Sequence, residues 1–263
     1  MISKNKARLI ISLRKNKVRE EEGLFVIEGD KLVKEFLAAK VTVKTLIAKK
    51  EFISALPLFL KEFVEEIEEA TFLEIKQISS LKTPHNALAL VQIPQQTMDP
   101  EEVLDSLCVA LDFVQDPGNF GTIIRAAAWF GIRNIVCSYD CVDLYNPKVV
   151  QATMGAILHV NVYYSDLKAF ASMANEKKIP VYGTFLSGDS IYTQKLGSRG
   201  IIIFGNESRG ISDDLIPFVT DKILIPGANR AKPGIESLNV GMAASVVFSE
   251  FLRQTGNLSD KSG

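Results

Sequence analysis

The stretch LCVALDFVQDPGNFGTIIRAAAWFG, residues 107–131, decides the fold. Leu107–Phe113 is an apolar, β-favouring run, followed by the turn Asp116-Pro117-Gly118 and an apolar helical stretch over 119–130. A short strand feeding a helix is the front half of a crossover, and crossovers build parallel sheets. The same alternation continues downstream. Strands are predicted at 133–137 (RNIVC), 159–163 (HVNVY), 179–184 (IPVYGT), 200–204 (GIIIF) and 221–225 (DKILI). Helices are predicted at 146–156, 165–177, roughly 212–218, and 237–254. Strands this short and this apolar imply burial on both faces. Residues ~105–255 therefore read as an α/β domain around a parallel sheet.

A smaller α/β domain, residues 1–93, precedes it. It reads as strand 23–28, helix 30–39, strand 43–48, helix 55–66, a helical turn near 74–81 and strand 86–93. Between the two, PQQTMDPEEVLDS, residues 94–106, has the prolines, glutamines and acidic run of a linker. The larger domain then takes 107–256, and NLSDKSG, 257–263, is a polar tail.

With 263 residues, 47% of them hydrophobic and 23% charged, the chain has ample material for a core, which excludes whole-chain disorder. Three cysteines without paired spacing exclude a disulfide framework and a zinc ribbon, and point to a reducing cytosol. No apolar run approaches the ~18 residues of a membrane span. The basic N-terminus lacks the apolar core of a secretory signal. A cytoplasmic protein is expected. His85 and His159 stand far apart, so no metal ligand set is expected, and His85, Cys108, Cys137 and Cys141 read as structural. A net charge of −1 names no polyanionic partner, yet the charge is segregated. Residues 1–19 carry seven cations and no acid, and residues 51–80 carry seven acids and two lysines. That segregation marks either a nucleic-acid footprint or a solvated amphipathic helix with Leu9, Ile10 and Leu13 as its apolar face.

In a parallel α/β sheet, ligands collect outside the carboxyl ends of the strands, so the loops there carry the chemistry. After 107–113, Asn119 is a candidate N-cap and Gly121 allows close backbone approach. Arg125 lies between Ile124 and the apolar run Ala126–Phe130, where a guanidinium must be paired or face a site. After 200–204, Gly205 and Gly210 bracket Asn206-Glu207-Ser208-Arg209, a tight loop suited to presenting backbone groups to a ligand. It is neither a P-loop nor a dinucleotide fingerprint. After 221–225, a long loop over 226–236 carries Arg230 and Lys232. Ser237-Leu238-Asn239-Val240 then opens a helix bearing Gly241, Ala243, Ala244 and Ser245, small enough to pack closely on a ligand loop or a partner helix. Ser237 also reads as a plain N-cap.

Taken in order, Asn119-x-Gly121-x-x-x-Arg125, Gly205-x-Glu207-x-x-Gly210 and Ile225-Pro226…Ser237-Leu238-Asn239-Val240 resemble the motifs of the SpoU/TrmH family. These are S-adenosylmethionine-dependent RNA ribose 2′-O-methyltransferases of the SPOUT superfamily. The resemblance covers residues ~107–254. The stretch LRKNKVREEEGLFVIEGDKLVKEFL, 13–37, is similar to the substrate-binding domain often attached to them, which looks like a small ribosomal protein.

The resemblance implies a trefoil-knotted C-terminal methyltransferase domain that pairs as a homodimer. S-adenosyl-L-methionine would lie against Phe204, Gly205, Asn206, Glu207, Gly210, Ile225, Ser237 and Leu238. Asn119, Arg125, Glu207, Ser237 and Asn239 match the catalytic positions. A guanidinium does not readily lose its proton, so Arg125 suits holding a phosphate and stabilising a developing alkoxide better than acting as a base. Glu207 is the second choice as base, a partner for Arg125, or an orienting group for its loop. Phosphate contacts fall to Lys4, Lys6, Arg8, Arg14, Lys15, Lys17, Arg230 and Lys232, which give affinity without sequence choice. Ribosomal and transfer RNA both stay open as substrates. Two other readings are a SPOUT enzyme methylating a base and a non-catalytic RNA- or donor-binding protein. The first-loop motif argues against the former, and the presence of Arg125 and Ser-Leu-Asn against the latter.

Overall fold

The computed structural model describes residues 2–228 and 237–256, so Arg230, Lys232 and the tail 257–263 lie outside the described residues. In chain order the elements are α1 (Lys4–Ser12), α2 (Asn16–Glu22), β1 (Leu24–Glu28), α3 (Asp30–Ala38), β2 (Val43–Ala48), α4 (Lys50–Ala55), α5 (Leu58–Lys61), β3 (Ile67–Glu69), α6 (Phe72–Ile78) and β4 (Ala87–Gln92). There follow α7 (Pro100–Leu104), β5 (Leu107–Leu111), α8 (Pro117–Trp129), β6 (Asn134–Cys137), α9 (Pro147–Thr153), β7 (Asn161–Tyr164), α10 (Leu167–Glu176), β8 (Val181–Ser190), β9 (Gly200–Phe204), β10 (Asp221–Leu224) and α11 (Val240–Thr255).

Met1–Gln95 and Asp143–Leu158 form one compact unit. Its sheet runs β1-β4-β2-β3, with β4 antiparallel to both β1 and β2, and β3 parallel to β2. Phe25, Ile27, Leu46, Ala48, Ala89 and Val91 enter one core, and Val26, Ile47, Leu88 and Leu90 enter another. Successive residues thus alternate between two buried faces, which is why the strands read as unbroken apolar runs. The N-terminal run is two helices, with Ile10 and Leu13 buried.

Three expectations for this region change. The helix expected over 55–66 is split, because Pro57 forces Leu56 into extended backbone. α4 ends before it, and β3, absent from the sequence reading, follows. α6 starts earlier than the predicted turn, set by a capping box between Thr71 and Glu74. Residues 143–158, expected with the larger domain, belong to this unit. The buried Arg19 guanidinium reaches Asp143, Nε at 3.0 Å, and the Tyr145 ring lies 4.6 Å from that of Phe25.

The second unit, Gln96–Val142 with His159–Gly263, carries the expected parallel sheet. Its six strands run β10-β8-β9-β5-β6-β7, and every pairing is parallel. Cys108, Ala110, Val136, Ile201 and Ile203 pack with Leu167, Phe170 and Ala174 of α10. On the other face Phe204 meets Phe248 edge-on at 5.6 Å, and Tyr182 meets Phe251 at 5.0 Å, which seats α11. The stretch expected as a linker holds α7. Asp99 caps it, Pro100 takes a first-turn position where no amide is needed, and Val103 and Leu104 are buried in this unit's core. The helix expected near 212–218 is a 3-10 turn, Ile216–Phe218. No helix among the described residues is long and apolar enough to cross a membrane.

Candidate functional site

Parallel pairing sets the carboxyl ends of β5 and β9 side by side, with Leu111 in register with Phe204, and β8 runs beside β9 with Gly183 in register with Ile203 before continuing to Ser190. The first loop leaves β5. Asp116, rather than Asn119, caps α8: its Oδ1 accepts from the Asn119 N–H at 2.8 Å, and Pro117 occupies the first turn. That arrangement leaves the Asn119 side chain unspent by the helix end.

The second loop leaves β9. Asn206 and Gly210 exchange two backbone hydrogen bonds of 2.9 Å, and the Asn206 side-chain oxygen accepts from the N–H groups of Ser208 and Arg209. Gly210 supplies the left-handed φ of +74° that closes the loop. A Cβ on Gly205 would stand 2.1 Å from the Gly210 carbonyl carbon, so only glycine fits where the loop folds back.

The third contribution is the start of α11. Asn239, and not Ser237, is its N-cap, accepting from the N–H groups of Gly241 at 3.0 Å and Met242 at 3.2 Å. Gly241 lets α11 lie against α8, since a Cβ there would stand 2.9 Å from Thr122 Cγ2.

One chain of side-chain hydrogen bonds joins the three. Asn239 Nδ2 donates to Asn119 Oδ1 at 2.7 Å, and Asn119 Nδ2 donates to Glu207 Oε1 at 2.8 Å. The amide at 119 accepts from one neighbour and donates to the other, which neither a carboxylate nor an aliphatic side chain does. Arg125 is exposed on the outer stripe of α8 with Thr122 and Trp129, and has no hydrogen bond or ion pair among the described residues. Ile123, Ile124, Ala126 and Ala127 turn inward while Arg125 falls on the opposite side of the helix, so of the two expected arrangements, paired or facing a site, the described residues show no pairing. Glu207, one expected partner for it, engages Asn119 instead. Of the expected donor contacts, Phe204 and Gly205 are buried, Ile225 is half-buried, and Ser237 and Leu238 are exposed.

The sequence reading missed two residues here. Asp112, buried at the end of β5, accepts from the Ser212 N–H at 2.7 Å and ties the exit of the second loop to the first. A carboxylate closing the apolar run LCVALD was the available signal. Thr184, the first β8 residue past the pairing with β9, donates to the Ile203 carbonyl at 2.9 Å and so stands beside the second loop.

In the first unit, Lys6 pairs with Glu66 at 2.7 Å and with Glu68, which raises its pKa against the opposing effect of burial. Arg14 donates to the Ser79 carbonyl at 2.7 Å, and Lys17 lies 3.7 Å from Glu21. Lys4, Arg8 and Lys15 are exposed and without such partners among the described residues. No group of three or more His, Cys, Asp or Glu placed to hold a metal ion occurs among the described residues.

A model of the SpoU rRNA Methylase family matches residues 106–249, over half the chain and all three loops. The chain belongs to the SpoU rRNA methylase family. A model of the MRM3-like substrate binding domain matches residues 4–89. Among relatives, the 23S rRNA (guanosine(2553)-2′-O)-methyltransferase RlmP of Bacillus subtilis is 28% identical, covering 89% of this chain and 91% of its own. A TrmH-family structure from Porphyromonas gingivalis superposes with a TM-score of 0.85 at 35% identity, over 97% of this chain and all of its own. An AdoMet-bound rRNA methyltransferase from Sinorhizobium meliloti gives 0.79 at 27% identity, over 96% and 97% of the two chains. Within the SpoU framework, the Asn239–Asn119–Glu207 chain links the three loops that the sequence motifs single out.

Proposed function

We propose that this SpoU-family chain transfers a methyl group from S-adenosyl-L-methionine to a ribose 2′-hydroxyl of ribosomal RNA. The observation that carries the reading is the Asn239–Asn119–Glu207 chain at the carboxyl ends of parallel strands. The Bacillus relative, named a 23S rRNA 2′-O-methyltransferase, and the Sinorhizobium one, an rRNA methyltransferase bound to AdoMet, support ribosomal over transfer RNA.

The residues fit the donor. Phe204 and Gly205 bring backbone to the end of β9, and Leu238, an apolar side chain left half exposed beside Asn239, offers the surface an adenine ring covers. When bound, the donor supplies an electrophilic methyl carried on a positive sulfonium. The protein supplies orientation and charge. Asn119 and Asn239 hold the loops in one arrangement. Arg125, whose guanidinium has no hydrogen bond or ion pair among the described residues, binds the phosphate next to the target ribose and stabilises the alkoxide that forms as the hydroxyl proton leaves. Glu207, whose Oε2 accepts no hydrogen bond among the described residues, is the second candidate to take that proton.

The same reading includes a trefoil knot in the C-terminal domain and a homodimer through it. Trp129 and Met242, on α8 and α11, are 84% and 63% exposed in the single chain, and a second copy covering them accounts for that. The first domain holds substrate RNA, with Lys4, Arg8 and Lys15 among the cations that have no hydrogen bond or ion pair from their side chains among the described residues. Cys108, Cys137 and Cys141, free and buried, suit a reducing cytoplasm. The test is a 2′-O-methyl map of ribosomal and transfer RNA from cells with and without the protein. The reading predicts loss at a ribosomal site; loss confined to transfer RNA, or none, contradicts it.

A further inference from the structure

Phe113 leaves β5 with a φ of +61°, a conformation that glycine and asparagine adopt readily and a bulky ring does not. Such strain persists only where the surroundings hold it, and it gathers at functional sites. Three contacts hold it here. The Phe113 N–H donates to Ser138 Oγ at 3.0 Å, its carbonyl accepts from Asn206 Nδ2 at 2.9 Å, and the Arg209 guanidinium lies 5.5 Å from the ring centre. The ring is half-buried, with an exposed arginine over it. That guanidinium has no hydrogen bond or ion pair among the described residues, so its five N–H groups are unspent. Arg209 belongs to the loop whose Glu207 reaches Asn119, which puts ring and guanidinium within one short loop of the catalytic chain.

Aromatic rings and guanidinium planes are the two surfaces on which RNA-binding sites stack unpaired bases. We infer that Phe113 and Arg209 form a stacking platform for a nucleobase of the RNA substrate, seating the target nucleotide or its neighbour so that the ribose reaches the site. The inference rests on the RNA methyltransferase reading above. The donor's adenine presents the same planar chemistry, but the donor is cationic, and an unspent guanidinium repels it while attracting RNA phosphate.

The experiment uses the full chain, an unmodified 23S rRNA transcript and tritiated donor. It reads transcript binding, KM and kcat for the transcript, S-adenosylhomocysteine binding by calorimetry, and thermal unfolding. Arg209→Ala and Phe113→Gly should weaken transcript binding and raise its KM by about five- to a hundredfold, the span expected for losing one stacked base. S-adenosylhomocysteine affinity should hold within about twofold, well short of the roughly fivefold minimum for losing a stacked base. Phe113→Gly removes the ring while relieving the backbone, so it tests the ring without straining the fold, and Phe113→Tyr should restore the wild-type KM. Arg209→Lys, which keeps the charge without the plane, should recover only part of the loss. Unchanged transcript KM and binding in both Arg209→Ala and Phe113→Gly overturn the platform while leaving the parent reading in place. A loss confined to S-adenosylhomocysteine binding overturns it too, assigning the ring to the donor. A wild-type chain that neither binds nor methylates the transcript overturns the parent reading, and the platform with it.

Discussion

Asn239 uses both ends of one amide. Its oxygen caps α11 and its nitrogen reaches Asn119. The two roles separate by substitution. Asn239→Ala loses both, and should cost about 1 kcal/mol of stability, roughly 2–4 °C in melting temperature for a domain of this size, together with most of the activity. Asn239→Asp keeps the cap, adds favourable negative charge at the helix start, and loses the donor to Asn119. It should melt like wild type yet transfer methyl slowly; wild-type turnover in that variant contradicts the role given to the chain. Glu250 offers a second test at this scale. It accepts from Arg253 at 2.6 and 2.8 Å and from Gln254 at 2.7 Å, and the Arg253 hydrogen bonds hold its carboxyl down to about 2. Its contribution is therefore present above the ordinary value of 4.5 and drains away as pH falls toward 2. Glu250→Gln should be less stable at neutral pH and flatter through that acid range in urea unfolding; parallel curves contradict this. At this scale the motif spacing singled out Asn119, Glu207 and Asn239, which the structure joins by hydrogen bonds, and Arg125, which has no hydrogen bond or ion pair among the described residues. Their local roles were less so. Asp116 and Asn119 are both short polar side chains, and Pro117 in the first turn is what gives the cap to Asp116.

α8 and α11 show how an element's sequence encodes a neighbour. The small residues after Ser237 were expected to pack closely on a ligand loop or a partner helix, and Gly241 packs instead on α8 of the same chain, where a Cβ would stand 2.9 Å from Thr122 Cγ2. Gly241→Ala pushes a methyl group to 2.9 Å from Thr122 Cγ2, and should cost about 1–3 kcal/mol by overpacking. Adding Thr122→Ala should recover part of that cost in a double-mutant cycle, read by denaturant unfolding; strict additivity contradicts the contact. Strand positions were the most legible elements. β2 and β9 occupy the expected residues, since apolar runs bounded by polar ones leave little latitude. Helix ends near proline were the least legible. Pro57 ends α4 and stands at the N-cap of α5, while Pro100 opens α7, so each proline marks a helix boundary that an apolar run alone does not show.

For the whole molecule, the near-balance of 30 cations and 31 acids hides a local cancellation. Lys6 spends itself on Glu66 and Glu68, so part of the acidic stretch 51–80 neutralises part of the basic run 1–19. The assignment of 143–158 to the first unit was out of reach of pattern reading, because its partners lie far off in sequence: Arg19 and Asp143 are 124 residues apart. The loops that make the candidate site lie in the second unit, and the proposed chemistry turns on Arg125, exposed and without a hydrogen bond or ion pair among the described residues. The most direct test incubates wild type and Arg125→Ala with tritiated S-adenosylmethionine and unmodified ribosomal RNA, then digests the product with alkali. A methyl group on a 2′-oxygen blocks cleavage at the neighbouring phosphodiester. The account predicts that wild type leaves its label in alkali-resistant dinucleotides. It also predicts that Arg125→Ala, though folded and able to bind S-adenosylhomocysteine, leaves almost none. Label in alkali-cleaved mononucleotides, or full labelling by Arg125→Ala, contradicts it.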